Sequence, residues 1–335
     1  MQQGSKEKAL AMHLPTLVRH SATIAGMLSL LVAGSASATR FVRQEFTCPI
    51  GGEVFEASVL ASTTTWGERP DGKPYGMLNG FPVVECPGNG FSIFKEEFTP
   101  EEIAILTPLI GSPSFQAMRE SETPHYRVGW LMRTLGRPPA ELANALLVAS
   151  WESDGQPERK ARYQREFVAA TAKVPRSARD LWFGLNLRAA NALRELRQFA
   201  EARNLLTEIQ ASGLWPKDED QVEGARYLID GLTLLIAEGN AYPEPTNLIP
   251  ADIAVDRCSD QSAALSASEQ IACASSPALA AKQNRLEYEQ RQRDSDGEIG
   301  ASSEADDADA EANQEAANAA ADAAAAVMEV STLRN

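Results

Sequence analysis

The chain has 335 residues, with 46 acidic against 31 basic side chains and a formal net charge of −15 at pH 7. No basic stripe or patch stands out, so nucleic acid is not expected as a partner. The length allows one or two domains, and the hydrophobic content of 44% is ordinary for a globular protein.

The first segment has the pattern of an export signal. An apolar, uncharged stretch over residues 22–34 follows Arg19, and the small residues Ala-Ser-Ala that end at Ala38 are typical of a signal-peptidase site. A membrane-spanning helix needs roughly 20 apolar residues, more than this stretch provides. We therefore predict a signal peptide over residues 1–38, with Met12 as an alternative start. Cleavage near Ala38 would leave a periplasmic or secreted protein without a transmembrane segment.

Such cleavage would leave His125 as the only histidine of the mature chain. A histidine-rich metal site within one chain is thereby excluded, and a catalytic triad would have to use His125. This residue follows Thr123-Pro124, a pattern typical of the start of a helix. We interpret it as a surface or packing residue.

Two copies of the pattern Cys-Pro-x-x-Gly stand in the next segment, which we predict to be a small, turn-rich β domain over residues 39–98. A zinc-ribbon knuckle reads Cys-Pro-x-Cys-Gly, with the glycine in a left-handed turn. Here Gly51 and Asn89 occupy the places of the second cysteines, so neither a metal site nor another cofactor is expected. The residues of the two patterns are Cys48, Pro49 and Gly52, and Cys86, Pro87 and Gly90.

In an oxidising compartment, Cys48 and Cys86 can form a disulfide with each other instead of binding a metal. Two thiolates on one zinc ion already lie close together, and a small movement would join them. We predict a Cys48–Cys86 disulfide in place of the metal. Four cysteines allow three pairings, and proximity in the sequence favours Cys258–Cys273 for the other two. The chain has no Cys-x-x-Cys pair, so redox catalysis is not expected.

A segment rich in glycine and proline separates the two patterns. Pro70-Asp71-Gly72 is a strong turn signal, and aromatic and charged side chains stand close to it. One interpretation is an exposed binding loop, and the alternative is that the aromatic side chains cover the core of a small domain. The candidate binding residues are Trp66, Arg69, Asp71 and Tyr75.

Residues 99–241 are predicted to be helical. Thr99-Pro100-Glu101-Glu102 combines a capping threonine, a proline at the first helical position and a glutamate three residues after the cap. Further helices are predicted to run from Pro139 through Trp151, from Glu158 to Lys173, from about Asp180 to Leu196, from Gln198 to Ala211 and from about Asp218 to Glu238. Short connections between them predict a stacked antiparallel array. The fold class is therefore α+β, mostly α.

One helix pair, over residues 181–209, has the pattern of a tetratricopeptide repeat. Ala189 and Ala190 would allow a second helix to approach closely, and Phe199, Ala202 and Leu206 would face them. Such an array has a concave groove that can hold a peptide. A generic helix bundle is the alternative.

The chain over residues 46–238 resembles an uncharacterised bacterial family whose members join an N-terminal ribbon with two Cys-Pro-x-Cys-Gly knuckles to a tetratricopeptide-like helical part. The resemblance rests on CPIGG from Cys48, CPGNG from Cys86 and FSIFKEEFTPEEIAIL from Phe91. It implies a fold and no reaction. Gly51 and Asn89 depart from the family's metal-binding pattern.

Beyond the helical part, we predict an irregular segment over residues 242–286 that a disulfide holds. Residues 287–335 form a low-complexity, alanine-rich acidic tail with thirteen acidic residues against three arginines. Such a tail buries little apolar surface and is predicted to be disordered.

The expected function is that of an exported, non-enzymatic protein that binds a protein or peptide partner in the cell envelope through its helical array. Two alternatives stay open. One is a structural envelope protein without a defined ligand. The other is a hydrolase that works with two carboxylates and no histidine, for which Glu68, Asp71 and Glu85 are the candidates.

Overall fold

The computed structural model describes residues 39–76, 82–289 and 291. It confirms a mostly helical chain, with small antiparallel β-hairpins on the N-terminal side and consecutive packed helices after them. The predicted signal peptide and almost all of the predicted disordered tail lie outside the described residues. Among the residues described, no helix is both long and apolar enough to cross a membrane.

In the described part of the chain, six short strands form three separate two-stranded antiparallel sheets. The first hairpin is the longest, and its register runs from Thr39 opposite Thr63 to Thr47 opposite Val54. The strands are β1 (Thr39–Thr47), β2 (Val54–Thr63), β3 (Thr65–Glu68), β4 (Pro74–Gly76), β5 (Val84–Glu85) and β6 (Ser92–Ile93).

Helices begin where the sequence offers local start signals. Thr99 and Glu102 form the predicted capping box at the start of the first helix, and a proline opens five of the helices. The helices are α1 (Pro100–Ile110), α2 (Pro113–Ser121), α3 (Pro124–Thr134), α4 (Pro139–Glu152), α5 (Pro157–Thr171), α6 (Arg179–Glu195), α7 (Phe199–Ala211), α8 (Glu219–Ala237), α9 (Ala251–Ser259) and α10 (Ala267–Ala274).

Two features differ from the prediction. Helix α2 was not predicted, although Ser112 caps it by accepting a hydrogen bond from the Phe115 N–H. The segment 242–286 is not irregular, because it contains α9 and α10, and residues 277–289 are helical as well. A capping box of Ser266 and Glu269 begins α10.

Two apolar cores within the described ranges hold these elements together. The first joins the hairpins to α1, α2 and α3 around the buried residues Cys48, Cys86, Phe91 and Phe115. The second lies between α4, α5, α6, α7 and α8, where the small residues Ala189, Ala190 and Ala202 are almost completely buried. These side chains allow α6 and α7 to pack closely, as the helix-pair pattern predicts.

Candidate functional site

The array has an inner face formed by alternate helices. Helix α4 packs against α5 and α6 against α7, while α4 also contacts α6 and α6 contacts α8. We call the surface lined by α4, α6 and α8 the inner groove. It is the place at which the sequence predicts a bound partner.

Part of the inner groove is occupied by the chain's own β3–β4 turn, residues 69–73. The turn is tight, because the Gly72 N–H donates to the Arg69 carbonyl at 2.8 Å and the Arg69 N–H donates to the Lys73 carbonyl at 2.9 Å. Gly72 takes a positive φ of 83°, which favours glycine. The Asp71 carboxylate accepts the Lys73 N–H at 3.0 Å. The sequence Pro-Asp-Gly therefore forms the turn that its composition predicts.

Charged side chains fix this turn against α4 and α5. The Arg69 guanidinium donates to Asp154 at 2.8 Å and to Glu244 at 3.3 Å, and it forms a two-pronged pair with Asp71. Lys73 donates to the same Asp154 carboxylate at 2.6 Å. Asp154 thus joins two cations of the turn to the end of α4.

The network continues into the helices. Lys160, near the start of α5, lies 3.0 Å from Asp154 and 3.2 Å from Glu195 at the end of α6. We call Arg69, Asp71, Lys73, Asp154, Lys160, Glu195 and Glu244 the charge network. Its positive and negative charges nearly balance, as the burial of such groups requires.

The surroundings shift the pKa values of these groups in the directions that ion pairing demands. Burial alone would raise the pKa of Asp154, but the hydrogen bond from Arg69 and the charge of Lys160 outweigh it and hold the pKa well below its usual range. Burial opposes the charge of Arg69 and Lys160 as well, and the neighbouring carboxylates raise the pKa of both above their ordinary values. All three side chains are therefore charged at neutral pH.

A second segment of the chain, residues 242–250, also lies in the inner groove. The fully buried Arg194 of α6 holds its start, donating to the carbonyls of Asn240 and Tyr242 at 2.9 Å each. Farther along, Leu248 packs so closely on α8 that a Cβ at Gly231 would lie 2.3 Å from its side chain. Nothing in the local sequence marks Arg194 for this role.

Between these two segments, a cavity of about 420 Å³ remains open between α6 and α8. Arg188 lines it and donates to the Gly184 carbonyl at 3.3 Å. Among the described residues, no carboxylate lies within ion-pair distance of this guanidinium. The walls combine apolar residues with further polar side chains. The apolar part includes Pro70, Phe183, Leu187, Gly224 and Leu228, and the polar part includes Glu68, Arg69 and Gln221.

The predicted binding loop is only partly exposed. Trp66 is 41% exposed, whereas Arg69 and Asp71 are 5% and 3% exposed. Tyr75 is half-buried, and burial raises its pKa above the ordinary value. Of the two interpretations of this segment, the exposed loop does not describe Arg69 and Asp71, because both form an ion pair inside the molecule.

The candidate carboxylates do not form a pair. Asp71 is bound to Arg69. Glu85 accepts a hydrogen bond from the Ser92 hydroxyl at 2.8 Å and forms a salt bridge with Arg127 at 2.7 Å. Glu68 is exposed at the edge of the groove cavity.

The two Cys-Pro-x-x-Gly turns have the same hydrogen-bond pattern. In each, the cysteine N–H donates to the carbonyl five residues later, at 2.8 Å for Cys48 and 2.9 Å for Cys86. The glycine four residues after each cysteine donates back to the cysteine carbonyl, and both Gly52 and Gly90 take a positive φ. Pro49 and Pro87 follow the cysteines in both turns.

Disulfides join Cys48 to Cys86 and Cys258 to Cys273, as predicted. Asn89, which stands where a zinc knuckle has its second cysteine, joins the two turns by donating to the Ile50 carbonyl at 2.8 Å. Over the described ranges, no group of three or more potential metal ligands lies together. The disulfides indicate that the protein matures in an oxidising compartment.

Comparisons with models of protein families, with curated proteins and with solved structures find no match to this chain.

Proposed function

We propose that the protein is exported to the periplasm and holds a short segment of a partner polypeptide in the open part of its inner groove. The observation that carries this proposal is the cavity between α6 and α8, which the chain's own two segments leave unfilled. The export pattern at the start of the sequence and the two disulfides support the location.

The chemistry of the cavity favours an apolar segment that carries a carboxylate. Phe183, Leu187 and Leu228 provide apolar walls, and Arg188 is a half-buried cation without an acidic partner among the described residues. A carboxylate of the partner would provide that acid, since guanidinium and carboxylate groups fit as two-pronged pairs. Either an acidic side chain or the C-terminal carboxylate of the partner meets this requirement.

We also propose that the helical array and the N-terminal hairpin region are each related to a known architecture. The helix pairs α4–α5 and α6–α7 support a tetratricopeptide-like array, because α4 packs against α6 and α6 packs against α8. The shared hydrogen-bond pattern of the two cysteine turns supports a zinc ribbon in which a disulfide has replaced the metal. In this interpretation, Asn89 bridges the turns where a metal ligand would otherwise stand.

Selection of random peptides displayed on phage against the mature, oxidised chain tests the function. We expect peptides with an acidic residue or a free C-terminal carboxylate beside apolar side chains. Their affinities are then measured for Gly224→Met, which places a side chain in the cavity. A Cβ at Gly224 meets no atom within 4 Å, so this change should fill the cavity without disturbing the fold.

Ala237→Met is the matched control, because Ala237 is exposed on the same helix and does not line the cavity. We expect at least a tenfold loss of affinity for Gly224→Met and none for the control. Arg188→Gln should weaken binding by roughly tenfold, the effect of losing a hydrogen bond to a charged group. Peptides that bind all three variants as tightly as the unmodified protein, or a failure to select any peptide, would contradict the proposal.

A further inference from the structure

A second cavity, of about 560 Å³, lies away from the inner groove, between the β5–β6 hairpin and helices α3 and α4. Its walls are mainly apolar. They include Val84, Ile93, Phe94, Val128, Met132 and Val148. A concave apolar site of this size with few polar groups is the usual form of a small-molecule site.

His125 is one of the few polar side chains on this cavity. Its Nδ1 lies 2.6 Å from the Glu152 carboxylate, and the other oxygen of that carboxylate accepts the His125 backbone N–H at 3.2 Å. A carboxylate accepts hydrogen bonds, so this contact places the ring proton on Nδ1. The lone pair of a neutral imidazole is then on Nε2.

Nε2 makes no hydrogen bond to any described residue, and it is not among the buried polar atoms that lack a partner. The His125 side chain is 16% exposed and lines the cavity, so Nε2 of the neutral imidazole is available there as a hydrogen-bond acceptor. Glu152 fixes the ring from a different helix, which gives the acceptor a fixed position.

The charges around the cavity restrict the ligand further. Among its described lining residues there is neither lysine nor arginine, and the one acidic residue there, Glu141, is paired with Arg137 at 2.8 Å. An anionic ligand would therefore meet a carboxylate and no cation, and a cationic ligand would compete with Arg137. A neutral molecule that donates a hydrogen bond fits this environment best.

We infer that this cavity binds a neutral, hydroxyl-bearing apolar small molecule, whose hydroxyl donates to Nε2 of His125. The site is independent of the inner groove and of the proposed peptide binding.

A matched pair of compounds tests this inference by isothermal titration calorimetry on the mature, oxidised chain. The compound 4-pentylphenol has an apolar body and a hydroxyl donor, whereas 4-pentylanisole has the same body and no donor. We expect saturable binding of the phenol and about fivefold weaker binding of the anisole, as the loss of one hydrogen bond implies. Equal affinities, or no saturable binding of either compound, would overturn the inference without any variant.

Two variants locate the site. His125→Phe retains an aromatic ring but removes the acceptor, so the phenol should bind about as weakly as the anisole while the anisole is unaffected. Val148→Trp places a large side chain on the cavity wall and should weaken both compounds at least tenfold. Leu234→Trp, at an exposed position of α8, is the control and should change neither affinity. Undiminished phenol binding by a folded His125→Phe or Val148→Trp protein would refute the assignment.

Discussion

Gly72 lies directly against the guanidinium of Arg188, and a Cβ at Gly72 would come within 2.2 Å of the Arg188 Nε. One residue comes from the β3–β4 turn and the other from the middle of α6. At this contact the N-terminal hairpin region meets the inner groove, and a side chain on the turn would have to displace the Arg188 guanidinium.

Gly72→Ala should therefore lower the free energy of unfolding through two effects. The positive φ of 83° costs a non-glycine residue about 1 kcal/mol, and displacement of the Arg188 side chain should add about 1 kcal/mol. Denaturation in urea measures the loss. Gly136→Ala is the matched control, because Gly136 also has a positive φ, 63°, but has no atom within 4 Å of its Cβ position.

The excess loss in Gly72→Ala over Gly136→Ala isolates the contact with Arg188. A second change, Arg188→Ala, should abolish this excess, since it removes the atoms that the new Cβ would meet. If the two glycine variants lose the same stability, the contact between the turn and α6 has no energetic role.

Asp154→Asn should alter stability in acid as well as at neutral pH. The folded pKa of Asp154 lies below its ordinary value of about 4, so its contribution is fully present above that value. The contribution is lost as pH falls toward the folded pKa. We expect Asp154→Asn to cost about 2 kcal/mol at pH 7 and to show a shallower decline in stability between pH 4 and pH 2 than the unmodified protein.

The exposed Asp256, which pairs with Lys282, provides the comparison. Asp256→Asn should change stability by less than about 0.5 kcal/mol and leave the acid-side slope as it was. Urea denaturation at a series of pH values gives both quantities, and parallel curves for Asp154→Asn and the unmodified protein would contradict the proposed charge network.

Arg194→Lys should destabilise the protein although the charge is kept. The guanidinium donates to the carbonyls of Asn240 and Tyr242 and to Asn191 at the same time, and an ammonium group cannot reproduce this fork. We expect a loss of about 3 kcal/mol. Hydrogen exchange should locate the opening in residues 242–250; an effect confined to α6 alone would be inconsistent with this role.

The two disulfides should differ in their effect. Cys48 and Cys86 are 38 residues apart and Cys258 and Cys273 are 15 apart, so the chain-entropy treatment gives about 4 and about 3 kcal/mol respectively. The paired serine variants Cys48→Ser with Cys86→Ser, and Cys258→Ser with Cys273→Ser, test this order by denaturation. The first pair lies in the core of the hairpin region, so its loss should also unfold the β5–β6 hairpin. A reversed order would contradict the expectation.

Local signals in the sequence account for most of the helix boundaries and for the cysteine pairs. Thr99 and Glu102 predicted the start of α1 correctly, and the small residues Ala189 and Ala190 predicted the close packing of α6. The capping box of Ser266 and Glu269 was equally available and would have predicted α10. The surrounding composition of serine, alanine and glutamine instead favours an irregular segment, and this is why the helix is not predicted.

The occupation of the inner groove could not be predicted in this way. Arg69 and its partner Asp154 are 85 residues apart, and charged residues are too common for one such pair to stand out. Arg69 is a candidate for binding because it stands in a segment rich in glycine and proline, but its partners lie within the same chain. The charge network arises only from the tertiary fold, which brings the turn and the helices together.

The position of the β3–β4 turn also sets an order of events during folding. The partners of Arg69 are Asp154 and Glu244, which follow it by 85 and 175 positions. Both carboxylates are therefore synthesised long after the turn itself. Until Glu244 has emerged, the helices of the array can pack while the groove between them is still incomplete. The inner groove is therefore completed by contacts of high sequence separation, which require the chain up to Glu244.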